Sequence, residues 1–454
     1  MRALLFGAAC LLAVLRASPG GAPFSVDASE DASADFNGAP RLHSFAWAQW
    51  DGKWIFISGR TAGYHGVGQR EVDFPQSTSN KEIWVIEPAS PAKVYHYPVS
   101  ALPASLGAVK DQWVATNPLY FQDKDTLYLA GGYGQDSKGR MVTFPLISSV
   151  NLPALVSGVI AGADTFSKTI AWAESPLVQA TGGALLKLDD GLFYLSGGHV
   201  FMGGYRSFEG AGEKNTEEAS QTYLGEIRKL RIAGASAGKL QVTLVESLKD
   251  PEFARRDFNA GLTILADGKS AGAALYGGVF TKDKTGFTHP IYFQPGSAPS
   301  VDTTFEQTMS AYSCASLLLY DPDTASMYTT FFGGIGRRRP PAEDPMPWIN
   351  QISTVVKRGH ETLEFVHKDR PLPAYVGTNA VFIPGAGLRR IRPDADVFDL
   401  RQFRGKRTLA GYIFGGIRAF PKQFPYTSDA PEYAAGNVIT RASDVILKVY
   451  VTAP

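Results

Sequence analysis

The chain has 454 residues, 44% apolar and only 19% charged, so it holds ample material for a core and gives no sign of extended disorder. Its formal net charge of +1 gives no reason to expect nucleic acid or an anionic membrane surface as a partner. Bare length suggests two or three domains, but closed all-β architectures grow by adding similar units around one axis, and 47 glycines with 12% aromatics suit many short strands joined by tight turns.

At the start, Met1 and Arg2 precede an apolar run from Ala3 to Leu15, ended by Arg16 and followed by small residues up to Ala22. The run of 13 residues is too short to cross a bilayer, which takes about 20. It predicts a cleaved secretion signal over residues 1–21, a mature domain over residues 22–454, and a secreted or periplasmic location. Cys10 lies inside this signal; Gly7-Ala8-Ala9 before it only faintly resembles a lipoprotein box, and the leader is short for one. Cys314 is then the only cysteine of the mature chain and has no disulfide partner. No second apolar run reaches membrane length, so no membrane span is expected.

A short apolar strand ending in a glycine pair, or in glycine plus a polar residue, recurs along the chain. The first three instances are Trp54-Ile55-Phe56-Ile57-Ser58-Gly59-Arg60, Leu127-Tyr128-Leu129-Ala130-Gly131-Gly132 and Phe193-Tyr194-Leu195-Ser196-Gly197-Gly198. The others are Ala274-Leu275-Tyr276-Gly277-Gly278, Thr330-Phe331-Phe332-Gly333-Gly334 and Tyr412-Ile413-Phe414-Gly415-Gly416. The mean spacing is about 71 residues, against roughly 50 for a compact kelch repeat, and the excess falls in loops. Each unit opens with an apolar strand and a turn such as Asp51-Gly52. The glycine strand and a polar loop follow, then an alternating strand such as Glu82-Ile83-Trp84-Val85-Ile86, then a closing strand such as Val94-Tyr95-His96-Tyr97. Four antiparallel strands per unit, repeated about an axis, make a propeller blade. The predicted fold is an all-β, six-bladed β-propeller. The final strand, Asp444 to Val451, matches a third strand, and the fourth place is left to Pro23-Phe24-Ser25-Val26, which would close the ring and hide its edges.

The glycine-pair strand with its partners resembles the kelch superfamily over essentially the whole mature chain. The phrases Ser44-Phe45-Ala46-Trp47-Ala48-Gln49, Arg255-Arg256-Asp257-Phe258-Asn259 and Phe331-Phe332-Gly333-Gly334-Ile335 are similar to a widespread group of exported bacterial kelch-like proteins of uncharacterised function. The first unit departs from the pattern, with Gly59-Arg60 in place of two glycines. Such a resemblance speaks to fold and little to function.

In a propeller, the loops after second strands and before first strands meet on one face, around the mouth of the central channel. The residues expected to enter the first strands are His43-Ser44, Thr116-Asn117, Thr181-Gly182, Phe258-Asn259, Ser313-Cys314 and Thr378-Asn379. Five of the six pairs begin with a polar residue, and Phe258 is followed by Asn259, which suits either a water-filled channel or a ligand site. Loops after the glycine strands add Arg60, His65, His199, Arg337 and Arg418, among other bases, over few acids. A basic funnel of this kind favours anionic ligands. Arg256 and Asp257 form the densest charge cluster at the entrance, either orienting a carboxylate or bridging neighbouring blades. The candidate binding set is therefore His43, Arg60, His65, Asn117, His199, Arg256, Asp257, Asn259, Arg337, Asn379 and Arg418.

The seven histidines show no paired ligand spacing, and no phosphate loop, serine elbow or zinc-protease helix is present, so neither metal nor cofactor is expected. Copper-radical oxidases share the kelch scaffold, but beyond Cys314 near Tyr312 nothing points to their crosslink. Separately, Arg389, Arg390, Arg392, Arg401, Arg404, Lys406 and Arg407 crowd an insertion of the last unit with Asp394, Asp396 and Asp399, on the opposite face. It reads as a self-paired loop or as a docking site for a protein.

Two functions fit. One is a monomeric exported module that binds a carbohydrate or a protein partner at the channel face. The other is a sugar-active enzyme resembling the kelch-type sialate mutarotases, in which Arg60, Arg256, Asp257, Glu209 and Arg337 would move a proton.

Overall fold

The computed structural model describes residues 22–64, 74–204, 219–235, 238–283, 285–336, 338–339, 344–345, 348–420 and 440–454. The expected secretion signal lies outside the described residues. None of the described helices is long and apolar enough to cross a membrane.

The fold is a β-propeller built of antiparallel sheets, each following the order expected of a blade. The first sheet holds Ala46–Trp50, Lys53–Ile57, Glu82–Glu87 and Lys93–Pro98, and the second holds Leu119–Asp123, Thr126–Ala130, Leu146–Asn151 and Ala171–Glu174. The third holds Ala184–Lys187, Phe193–Ser196, Glu226–Ala233 and Gln241–Lys249; the fourth holds Asn259–Ile264, Ala271–Tyr276, Ile291–Phe293 and Ser300–Val301. The fifth comprises Ala315–Asp321, Ser326–Ile335, Trp348–Arg358 and Glu361–Val366. In the sixth, Tyr375–Pro384, Thr408–Ala419 and Leu447–Thr452 are followed by Ser25–Asp31 from the other end of the chain. That last pairing runs Ser25 against Thr452 and Val26 against Val451, with a bulge before Glu30. The terminal strand is thus longer than the Pro23–Val26 segment expected to fill this place.

Burial explains the strand sequences. Second strands are covered on both faces, and the apolar run Trp54 to Ile57 is fully buried; outer strands such as Gln241–Lys249 are mostly exposed. Apolar clusters fill the junctions between consecutive sheets. The last sheet packs on the first in the same way, with Phe56 stacked on Phe414 at 4.4 Å between ring centroids.

The glycine pairs earn their place at Gly131. Its φ is +63°, its amide donates to the Leu146 carbonyl, and a Cβ there would stand 1.8 Å from the backbone oxygen of Ala180 in the neighbouring unit. A side chain at this point would hold the sheets apart.

A smaller sheet forms from loops: Tyr133–Gln135, Met141–Thr143, His199–Met202 and Ser220–Tyr223. It ties the loops of the second and third units together and brings Tyr133 and His199 to the same place.

Candidate functional site

The residues that enter the first strands form a belt of backbone hydrogen bonds. The Asn117 amide donates to Ser44 (3.0 Å), Gly182 to Asn117 (3.3 Å), Asp257 to Gly182 (2.7 Å), Ser313 to Asp257 (2.7 Å) and Asn379 to Ser313 (2.9 Å). Ser44, Asn117, Gly182, Asp257 and Asn379 all have positive φ, a conformation that Asn, Asp and Gly adopt most readily. Four of the expected pairs stand on this belt as read. In the fourth unit the belt residues are Arg256 and Asp257, two positions before the expected Phe258-Asn259; in the fifth they are Tyr312 and Ser313, one before Ser313-Cys314.

Each belt pair bridges to the residue just after a glycine pair, or after Ser58-Gly59 in the first unit. His43 bridges to Arg60, Thr116 to Tyr133, Thr181 to His199 and Arg256 to Val279. Thr378 pairs with Ile417, and the Tyr312 amide donates to Ile335. The residues that follow the glycines are therefore polar in the first three units and apolar in the last three, where Val279, Ile335 and Ile417 pack with Trp348.

The belt opens into a pocket with about 540 Å³ of empty space, part of it open solvent. It is lined by His43, Arg60, Asn117, His199, Arg256 and Asn379 from the candidate set. It is also lined by Tyr312 and by aromatic side chains that the sequence did not single out: Tyr64, Phe74, Tyr133 and Phe201. Phe74, Tyr133 and Phe201 form an edge-to-face row, with centroids 5.4 and 5.5 Å apart. One rule would have found Tyr133: the residue just after the glycines lines the pocket in four units, as Arg60, Tyr133, His199 and Ile417.

Two guanidinium groups face the pocket, each already oriented. Arg60 lies over the Phe74 ring at 4.5 Å and donates to Thr78 Oγ1 at 3.0 Å. Arg256 donates through Nη1 to Asp257 Oδ2 at 2.6 Å and through Nε to the Tyr223 hydroxyl at 3.2 Å, and lies over Phe280. Asp257 accepts from Asn117 Nδ2 at 3.3 Å; it sits behind the wall and is 4% exposed. No carboxylate is among the pocket's described lining residues. His199 takes a hydrogen bond from Gln221 Nε2 at Nδ1, 2.5 Å away, which puts its proton on Nε2 in this network. Burial, with the charge of Arg256 adding to it, draws His199 down to about 2, so the ring stays neutral.

The remaining candidates stand elsewhere. Asn259 is buried and holds the backbone, donating to the Tyr312 carbonyl and accepting from the Cys314 amide. Arg418 pairs with Asp444 at 3.0 Å and lies over Phe420, outside the pocket. His65, Arg337 and Glu209 fall outside the described residues. Cys314 is buried, and burial pushes its thiol up to about 12.

No known family model and no curated protein matches this chain. Among solved structures it is similar to one titled "Structure of YjhT", at 11% identity, over 90% of this chain and 99% of that one, with a TM-score of 0.47.

Proposed function

We propose that this is an exported, six-bladed kelch-like propeller, closed into a ring by its N-terminal strand, that binds the acidic group of a carbohydrate in the channel-mouth pocket. The observation that carries the reading is a pair of oriented guanidinium groups, Arg60 and Arg256, that line one pocket together with a row of aromatic rings. Arg256 keeps its geometry through Asp257 and Tyr223, so little ordering is left for a ligand to impose. The aromatic row beside it offers faces against which a sugar ring can pack.

The enzymatic alternative needs a group that takes and returns a proton near working pH. His199 is held neutral, and the Asp257 carboxylate is committed to Arg256 and Asn117. Glu209, the other acid named for that reading, lies outside the described residues.

The test is calorimetric titration of the mature protein with hexuronic acids and their neutral hexoses, at low and at moderate salt. The acids bind and the neutral sugars do not, binding weakens with salt, and Arg256→Ala lowers affinity at least about tenfold. A panel without binding removes the carbohydrate reading and leaves a protein partner at this face.

A further inference from the structure

Segment 385–407 joins the strands Tyr375–Pro384 and Thr408–Ala419 of the last sheet, where other sheets use a turn of a few residues. Its charge suggests a solvated loop, but its contacts do not. Val397–Asp399 adds to the fifth sheet as a parallel strand, with Leu318 against Val397 and Tyr320 against Asp399. Val397 and Ala395 are buried with Ile264, Tyr320 and Met327. Phe398, Leu400 and Phe403 are buried in a different cluster, with Phe382 and Ala410.

Arg389, Arg390 and Arg401 pair with Asp399 and Asp396 inside the segment, as a self-paired loop would, while Arg392, Arg404 and Arg407 reach other sheets. Arg392 donates to Asp189 Oδ2 at 2.8 Å, in the first turn of the third sheet, and to the Lys269 carbonyl at 3.0 Å, in the first turn of the fourth. Arg404 meets Asp323 at 2.7 Å and Asp321 at 3.3 Å, in the same turn of the fifth. Arg407 meets Asp27 of the N-terminal strand at 2.9 Å and lies over Tyr450 at 3.4 Å. The first turns lie at the strand ends opposite the belt. In a ring of six, the last and third sheets face each other across the axis, so a segment that starts in one and binds the turn of the other spans the bore.

We propose that segment 385–407 is a built-in stopper: it closes the end of the channel opposite the pocket and clasps the ring, so a ligand enters and leaves by one mouth. This rests on the six-bladed reading. Asp189 supports it further, since the hydrogen bond from Arg392 holds its carboxyl below the ordinary carboxylate range. A clasp of forked arginine–aspartate pairs has directional geometry that a point charge lacks.

Hydrogen–deuterium exchange on the mature protein tests it, comparing wild type with Arg392→Ala, Asp189→Asn and the swap Arg392→Asp/Asp189→Arg. In wild type, peptides covering residues 388–399 exchange far below the rate of an open chain. Either single substitution raises their exchange at least about tenfold, together with that of Leu318–Tyr320, while belt amides at Asn117 and Gly182 stay protected. The swap recovers part of the protection. Open-chain exchange in wild type, or no change in both single variants, overturns the proposal. Uronate titration of the same samples separates the two readings: wild-type uronate binding with an unprotected segment sinks the stopper alone, and a protected segment without binding sinks the ligand reading alone.

Discussion

Arg256 and Asp257 are neighbours in sequence, 8% and 4% exposed, and joined at 2.6 Å. Asp257→Asn keeps the shape, and Asn accepts the positive φ of 52°, but it removes the counter-charge and turns one of the two oxygens that accept from Asn117 and Arg256 into a donor. Removing one partner of a buried pair costs about 3–5 kcal/mol. Arg256 also lines the pocket and bonds the Tyr223 hydroxyl, so the lower end is expected, about 3 kcal/mol. Arg256→Met strands a carboxylate whose side chain is 3% exposed and costs about the same, roughly 3 kcal/mol. The double variant leaves no uncompensated charge. Its cost stays close to that of one single substitution, a coupling on the order of 2–3 kcal/mol. Equilibrium urea unfolding, followed by fluorescence and circular dichroism together, reads all three. Additive costs, or an Asp257→Asn protein within about 0.5 kcal/mol of wild type, would refute the view that this pair is a buried unit.

His199 and His367 lie at about 2 and about 4 in the folded chain, in both cases first through burial and then through a nearby arginine, Arg256 and Arg370 respectively. Unfolded, both titrate near about 6.5. Below that value the unfolded chain takes up protons that the folded one refuses, so stability falls with pH, by about 1.4 kcal/mol per pH unit for each histidine. The share of His367 ends near 4 and that of His199 continues toward 2. His199→Gln therefore flattens the stability profile between about pH 6 and 4 by about 1.4 kcal/mol per unit, and an unchanged slope contradicts the burial argument. Gly131→Ala forces a Cβ into the Ala180 backbone and should abolish soluble expression, whereas Gly38→Ala has nothing within 4 Å and costs about 1 kcal/mol through its positive φ; equal yields of the two would count against the close approach. The Cys314 thiol is buried and pushed up to about 12, so it should resist alkylation at neutral pH until the protein unfolds, as a mass-spectrometric time course would show.

The sheets were legible because glycine pairs and apolar runs follow from local requirements: close approach of neighbouring sheets and burial on both faces. The belt was legible where the chain keeps a polar pair, as at Thr116-Asn117 and Thr378-Asn379. It was misplaced where a polar residue deeper in the strand imitates the pair. Asn259 is such a residue, since its side chain serves the backbone at Tyr312 and Cys314. Arg418 drew notice by its charge, but strand alternation gives the inward place to Ile417 before it. The aromatic row was hidden for a different reason. Phe74, Tyr133 and Phe201 come from three separate loop regions, and only the small loop sheet and the folded ring contacts bring them together.

The pairing of Ser25–Asp31 with Leu447–Thr452 sets an order of arrival. Its partners Ser25 and Thr452 are 427 positions apart, and closing a loop of that length costs about 5 kcal/mol in chain entropy. A chain that emerges N-terminus first delivers one half of this pair at the outset and the other at the very end. Until then the early strand Ser25–Asp31 is an unclaimed, pairing-competent ribbon. Such an edge invites other chains. Chaperones that shield unpaired strand edges would therefore matter most in the interval before Leu447–Thr452 appears, and slow delivery of the chain would show as aggregation.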